Sequence, residues 1–106
     1  MIYMIDIDGT ICEDSKGEYE KAIPKKDRIN LCNSLYDDGH YIIYWTARGM
    51  SRNKGISAKA YQQFFELTKN QLDGWGVKYH EVRLGKPHYD VWIDDKAINS
   101  EVWFNV

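Results

Sequence analysis

Acidic, hydroxyl and basic side chains lie directly after apolar segments at several points of the sequence. Asp6 and Asp8 follow the apolar run from Met1 to Ile5, and Thr46 follows the run from Tyr41 to Trp45. A carboxylate that attacks a phosphate monoester repels its target, so a cation beside it is needed to neutralise both partners. We therefore interpret Asp6 as a candidate nucleophile with Mg²⁺ as its counter-ion.

Other side chains can supply the remaining parts of that reaction. Asp8 lies two residues after Asp6, and a turn at Gly9 would let its carboxylate protonate the leaving alkoxide and later deprotonate the attacking water. The Thr46 hydroxyl and the Lys86 ammonium can hold phosphoryl oxygens. Mg²⁺ prefers oxygen ligands and keeps several waters, so Asp6 and Asp94 could be sufficient protein ligands.

Each of these residues also has an ordinary structural explanation. Asp8-Gly9 is a common turn pair, Asp94-Asp95 can cap a helix, and Lys86 can be a solvated surface residue. These explanations are independent of one another, whereas a phosphatase site requires all of the residues at strand ends and in this order. The complete set therefore favours the phosphatase.

The elements that must position these residues alternate along the chain. The polar segment from Ile11 to Ile23 is expected to form an irregular loop or a small hairpin flap beside the first strand. Helices are expected from about Pro24 to Gly39 and from a capping Ser57 to about Leu72. Apolar and β-branched runs predict strands at Met1 to Ile5, Tyr41 to Trp45, Val77 to Val82, Tyr89 to Ile93 and Val102 to Val106.

Strands that alternate with helices imply parallel pairing through right-handed crossovers. The 106 residues are enough for one core and too few for two. The sequence thus predicts a single domain over residues 1–106, a Rossmann-like three-layer α/β sandwich with a small, mostly parallel sheet. In such sheets ligands bind outside the carboxyl ends of the strands, where most of the candidate residues are expected to converge.

Composition restricts the function classes. The net charge of -2 provides no electrostatic footprint for nucleic acid. No apolar run has the length of a membrane span, and Asp6 and Asp8 interrupt the first apolar run too early for a secretory signal, so we expect a cytoplasmic protein without membrane contact. Cys12 and Cys32 match no zinc spacing and are expected to remain thiols.

The motifs resemble those of the haloacid dehalogenase-like superfamily over nearly the whole chain. Asp6-Ile7-Asp8-Gly9-Thr10 matches the first motif, Asp-x-Asp-x-Thr, completely. The strand that ends at Thr46 is similar to the second motif, Lys86-Pro87 to the third and Asp94-Asp95 to the fourth. An Asp at position 8 is typical of the phosphatases of the superfamily and is absent from its dehalogenases.

The resemblance implies roles for individual residues. Asp6 would form an aspartyl-phosphate, Asp8 would be the acid and base, and Thr46 and Lys86 would hold the phosphate. The implied metal set is Asp6, Asp8, Asp94 and Asp95, the last acting through a water, and the implied substrate-binding set is Gly9, Thr10, Ala47 and Arg48. Neither gap between motifs is long enough for a cap domain, so the chain resembles capless members, which include sugar-phosphate phosphatases and phosphatases of nucleic-acid ends.

Several alternatives stay open at this level. Arg48 could pair with a second anionic group of the substrate or form a surface salt bridge, and His88 and Tyr89 could contact the leaving group. The open cleft could be closed by the flap or by a neighbouring subunit of a homo-oligomer. The leading function is hydrolysis of a sugar phosphate or similar metabolite. The alternatives are a phosphatase of nucleotides or nucleic-acid ends and a non-hydrolytic phospho-accepting or binding module.

Overall fold

The computed structural model describes residues 1–105 and contains three strands and three α-helices. The strands are β1 (Ile2–Ile5), β2 (Tyr41–Trp45) and β3 (Glu81–Arg83), and the helices are α1 (Lys26–Asp37), α2 (Ser57–Gly74) and α3 (Ser100–Phe104). A single 3-10 turn, Tyr19–Lys21, lies between β1 and α1. The helices α1 and α2 are the crossovers that join the three strands.

The strands form one parallel sheet in the order β1-β2-β3. Ile2 pairs with Tyr41 at the start of β1, and Ile43 of β2 pairs with Glu81 of β3. Parallel neighbours need long crossover connections, which the two helices supply. This arrangement is the Rossmann-like α/β fold that the sequence predicted.

The core lies on one face of β2. Ile42 and Tyr44, which share a face because strand side chains alternate, belong to one buried cluster with Ile29 and Cys32 of α1 and Leu72 of α2. Cys12 and Cys32 are both buried free thiols. The two long helices are thus fixed to the sheet by apolar burial, which is the largest favourable term in folding.

Both long helices begin slightly differently from the sequence expectation. Pro24 lies before α1 rather than in its first turn, because its segment forms an isolated bridge with Cys12. Ser57 is the first residue of α2 rather than its cap, and Ile56 precedes it without a side-chain capping bond. Gly39, with φ of +93°, follows α1 and lets the chain turn into β2.

The predicted strand from Val77 to Val82 is wrong over its first four residues. The Val77 amide donates to the Leu72 carbonyl at the end of α2, and the Lys78 amide donates to Asn33 Oδ1. These bonds use the backbone groups that a strand would need for its ladder. Regular pairing therefore begins only at Glu81.

The predicted strand from Tyr89 to Ile93 is not a strand in the structure. The Trp92 ring packs edge-on against Trp45 at 6.0 Å, and the Tyr89 ring lies 5.0 Å from Trp92. Val91 and Ile93 are exposed. Aromatic packing places the segment beside β2 without a ladder, and a short apolar run does not by itself distinguish these two outcomes.

The expected last strand from Val102 to Val106 is replaced by α3 over its described part, and Val106 lies outside the described residues. The Asn99 side chain caps α3 by accepting from the Glu101 amide at 2.9 Å. Arg28 donates to Glu101 at 3.0 Å, and Trp103 packs against the core. Cap, ion pair and aromatic burial together favour the helix over an isolated strand.

The segment from Ile11 to Ile23 is irregular apart from its 3-10 turn, as expected for a flap. Arg52 Nη2 donates to the Gly17 carbonyl at 2.8 Å, and the Arg52 guanidinium lies over the rings of Tyr19 and Phe64. The flap is therefore attached to the loop after β2. No helix within residues 1–105 is long and apolar enough to cross a membrane.

Candidate active site

The carboxyl ends of β1 and β2 open into a cleft of about 660 Å³. Its floor contains six residues that the sequence singled out: Asp6, Asp8, Thr46, Ala47, Arg48 and Lys86. They come from three separate parts of the chain and meet because parallel strands end at the same side of the sheet.

A tight turn after β1 presents the two acidic residues to the cleft. The amides of Thr10 and Ile11 both donate to the Ile7 carbonyl at 3.0 Å, and Gly9 in the turn has φ of +80°. Only glycine adopts this conformation without a steric penalty. Ile7 and Ile11 are fully buried and anchor the turn on both sides, so Asp6 and Asp8 point away from the core.

Asp6 lies between a hydroxyl and an ammonium group. Its Oδ2 accepts from Thr10 Oγ1 at 3.1 Å, and its Oδ1 lies 3.6 Å from Lys86 Nζ. Burial raises the pKa of Asp6 above its ordinary value, while Lys86, the Ile7 amide and Thr10 oppose that rise. A partly desolvated carboxylate beside one cation is a poorly solvated, reactive nucleophile.

Lys86 is positioned by the backbone. The Thr46 amide donates to the Arg83 carbonyl at 2.9 Å, and the Lys86 amide donates to the Thr46 carbonyl at 3.2 Å. These bonds continue the pairing of β2 with β3 beyond the regular strands. The Lys86 ammonium also lies over the rings of Tyr89 and Trp92, at 5.4 and 5.9 Å, which restricts it to the side of the cleft facing Asp6.

Asp8 is held by Arg48 through two parallel hydrogen bonds. Arg48 Nε donates to Asp8 Oδ2 and Arg48 Nη2 donates to Asp8 Oδ1, each at 2.9 Å. The Arg48 side chain has no exposed surface, whereas the Asp8 side chain is 20% exposed. The sequence left two roles open for Arg48, pairing with a substrate anion or a surface salt bridge. In the structure Arg48 forms a salt bridge, and its side chain is buried rather than at the surface. The sequence reasoning did not pair these residues because nothing local links positions 8 and 48.

Cys12 lies under the same carboxylate. Its Sγ is 3.5 Å from Asp8 Oδ1 and 3.6 Å from the Ile7 carbonyl. Burial, with a smaller contribution from the Asp8 charge, raises the pKa of Cys12 to about 12. The thiol is therefore a neutral donor at ordinary pH rather than a nucleophile.

Four predicted site residues lie outside the lining of the cleft. Thr10 is buried and contacts the site only through its bond to Asp6, and Gly9 serves the turn. Asp94 and Asp95 are exposed, and Asp94 Oδ1 accepts from the Lys96 amide at 2.9 Å in a local turn. This hydrogen bond is the largest of the causes that lower the pKa of Asp94. The structure does not bring the second acidic pair to Asp6.

The rim of the cleft contains residues that the sequence reasoning did not assign. They come from the flap and from the loop after β2, and they are Asp14, Lys16, Gly17, Tyr19, Ser51 and Arg52. His88 and Tyr89, which were expected near a leaving group, lie on the rim as well. The glycine and polar composition of the flap indicated a loop over the site, but not which of its side chains face inward.

The residues present do not complete a magnesium site in this arrangement. Among residues 1–105 no three acidic, histidine or cysteine side chains are grouped to hold a metal ion. Both oxygens of Asp8 accept from Arg48, and Asp6 remains as one carboxylate beside an ammonium group. Magnesium is expected to take additional oxygen ligands, so we derive no step through a metal ion.

Comparison with known proteins supports the fold. Neither a protein-family model nor a curated protein matches this chain. The chain is similar to the crystal structure of a structural-genomics target from Vibrio cholerae, with 27% sequence identity and a TM-score of 0.90. The match covers 99% of this chain and 88% of that one. The single-domain Rossmann-like α/β prediction is confirmed.

Proposed function

We propose that this protein is a phosphomonoester hydrolase that works through an aspartyl-phosphate on Asp6. The observation that carries the proposal is the pairing of Asp6 with Lys86 at 3.6 Å in a cleft at the strand ends. A carboxylate and one cation at this separation can approach a phosphoryl group from two sides. The motif resemblance, which includes Asp6 and Lys86, supports the same assignment.

The chemistry follows from the positions of the side chains. Asp6 attacks phosphorus and the bond to the leaving oxygen breaks, while Lys86 reduces the negative charge around the transferring group. Asp8, two residues away, donates a proton to the leaving oxygen and then takes one from the water that hydrolyses the aspartyl-phosphate. Thr46 is buried and its Oγ1 accepts from the Arg48 amide, which leaves its hydroxyl proton free to donate to a phosphoryl oxygen.

We propose a small phosphorylated metabolite, such as a sugar phosphate, as the substrate. The cleft volume of about 660 Å³ lies in the range of small-molecule sites. His88, Tyr89 and Tyr19 on the rim offer hydrogen-bonding groups to the hydroxyls of a leaving alcohol. A nucleic-acid end is the alternative, but the net charge of -2 is not typical of proteins that bind polyanions.

The experiment is phosphate release from p-nitrophenyl phosphate and from a panel of sugar phosphates and nucleotides. We expect turnover by the wild-type chain and its loss in Asp6→Asn, which keeps the shape but not the charge of the nucleophile. Asp38→Asn, an exposed substitution after α1, is the matched control and should be fully active. Full activity of Asp6→Asn would rule out the proposal.

Two further expectations belong to this proposal. Mg²⁺ stays a predicted cofactor on the motif resemblance, although Asp94 and Asp95 lie away from Asp6 in this arrangement. Loss of turnover after chelation, restored by Mg²⁺, would support it, and turnover that persists after chelation would remove it. A cytoplasmic location is consistent with two buried free thiols, and fractionation of cells checks it. A phosphorylated chain that persists for hours without hydrolysis would instead indicate a phospho-accepting module.

A further inference from the structure

We propose that Arg48 is a positioning residue that holds Asp8 for proton transfer and does not bind substrate. The inference rests on the proposed function, because Asp8 transfers protons only if Asp6 is phosphorylated. It differs from the expectation that Arg48 pairs with an anionic group of the substrate. The geometry around the guanidinium carries the argument.

Arg48 directs its donors inward. Nε and Nη2 bind the two oxygens of Asp8, and Nη1 donates to Thr68 Oγ1 at 3.3 Å. The side chain has no exposed surface. A substrate in the cleft therefore reaches no guanidinium donor of Arg48 in this arrangement.

The surroundings of Arg48 fix the guanidinium in place. Its Cζ lies 5.0 Å from the centre of the Tyr19 ring, and the Tyr19 hydroxyl accepts from the Gly49 amide at 3.0 Å. Gln71 Nε2 donates to the Tyr19 carbonyl at 2.7 Å. Tyr19 belongs to the flap, so the flap supports the residue that in turn supports Asp8.

The two parallel bonds determine which part of Asp8 is available for chemistry. Each carboxylate oxygen has two lone pairs, and the guanidinium takes one from each. The Cys12 thiol lies 3.5 Å from Oδ1, so the lone pair that stays free is on Oδ2, and the Asp8 side chain is 20% exposed. A proton can be held there and passed to a leaving oxygen while the contact with Arg48 persists, and after transfer the carboxylate is again paired with the guanidinium.

The experiment compares Arg48→Lys with wild type on two esters, an alkyl phosphate and p-nitrophenyl phosphate. Lysine keeps the charge but cannot make two parallel bonds. We measure kcat/KM, which includes departure of the leaving group. Departure of an alkoxide needs a proton from Asp8 and that of nitrophenolate does not, so we expect about a 100-fold loss on the alkyl ester and a much smaller loss on the aryl ester.

A double-mutant cycle with Asp8→Asn separates positioning from substrate binding. If Arg48 acts through Asp8, Arg48→Lys causes no further loss of kcat/KM in the Asp8→Asn background. Inhibition by inorganic phosphate should be unchanged in Arg48→Lys. An unchanged ester ratio, additive losses or much weaker phosphate inhibition would each overturn the inference.

Two controls keep the test independent of folding and of the proposed function. Arg83→Lys changes an exposed arginine that pairs with Glu81 and should leave the ester ratio unchanged, and Thr68→Val should shift it modestly in the direction of Arg48→Lys. The melting temperatures of Arg48→Lys, Asp8→Asn and their double variant can be measured without turnover. We expect the double variant to have the melting temperature of the less stable single variant. Additive shifts in melting temperature would contradict the contact even if no ester is hydrolysed.

Discussion

The two acidic pairs, Asp6 with Asp8 and Asp94 with Asp95, follow similar apolar runs but have different surroundings. In the first pair, Asp6 directly follows the paired strand β1 and lies between the buried residues Ile5 and Ile7, and Asp8 follows Ile7. The second pair follows Ile93, which is 94% exposed, in a segment without strand pairing. An acidic pair after an apolar run becomes part of a site only where the run is fixed in the sheet.

The largest expected effect comes from neutralising one member of each pair. We expect Asp6→Asn to lose at least about 1000-fold in kcat/KM, since it removes the nucleophile. Asp94→Asn should lose less than about tenfold, because its contacts are confined to a local turn. Phosphate release under saturating Mg²⁺ measures both, and equal losses would show that Asp94 joins Asp6 during turnover.

The next largest expected effect is a loss of stability at a glycine in the loop that follows β2. Gly49 has φ of +78°, and a Cβ there would lie 2.6 Å from Phe64 Cδ2. We expect Gly49→Ala to lower the free energy of unfolding by about 3 kcal/mol, from overpacking and backbone strain together.

Gly55→Ala is its matched control. Gly55 has φ of +79° but no atom within 4 Å of the added Cβ, so only the strain of about 1 kcal/mol applies. Urea denaturation of both variants makes the comparison. Equal destabilisation would mean that the loop after β2 yields freely around Phe64.

The buried thiol beside Asp8 predicts a pH dependence of stability. The folded pKa of Cys12, about 12, lies above its ordinary 9.0, so its contribution is fully present below pH 9.0 and is lost as the pH rises toward 12. Within that window the loss reaches about 1.4 kcal/mol per pH unit. Cys12→Ala should show a shallower decline of unfolding free energy above pH 9, and identical slopes would contradict the burial of this thiol.

The smallest effect is expected where the C-terminal region is attached to α1. Arg28 lowers the pKa of Glu101 below its ordinary 4.5, so the contribution of this pair is present above pH 4.5 and disappears as the pH falls through the folded pKa. The melting temperature of Glu101→Gln should lie slightly below that of wild type at pH 6 and match it in more acidic buffer. A difference that persists at low pH would assign the effect to packing instead.

The difference between the two pairs also explains how far the sequence determines this fold and site. Apolar runs flanked by crossover helices predicted β1 and β2, and with them the meeting of Asp6 and Thr46, because strand ends are local features. Lys86 was expected before a strand at Tyr89 to Ile93 and instead follows β3. The Tyr89 to Ile93 run is also rich in apolar and aromatic residues, but aromatic packing on Trp45 depends on tertiary contacts that periodicity does not reveal.

Contacts between distant residues were beyond sequence reasoning for a related reason. The pair of Arg48 with Asp8 depends on the turn at Gly9 and on Thr68 of α2, which arrive from separate parts of the chain. Residues 102–104 are apolar in succession, a pattern that suits a strand or one side of a short helix. The Asn99 cap was the local signal that could have favoured the helix.

The backbone bonds that join Thr46 to Arg83 and Lys86 to Thr46 have a practical consequence for engineering. They are made by main-chain atoms, so replacing the Thr46 or Lys86 side chain leaves the frame that holds those positions intact. New side chains at 46 and 86 would therefore enter the cleft from the same starting points. This makes the pair a suitable place to install other anion-binding groups without redesigning the sheet.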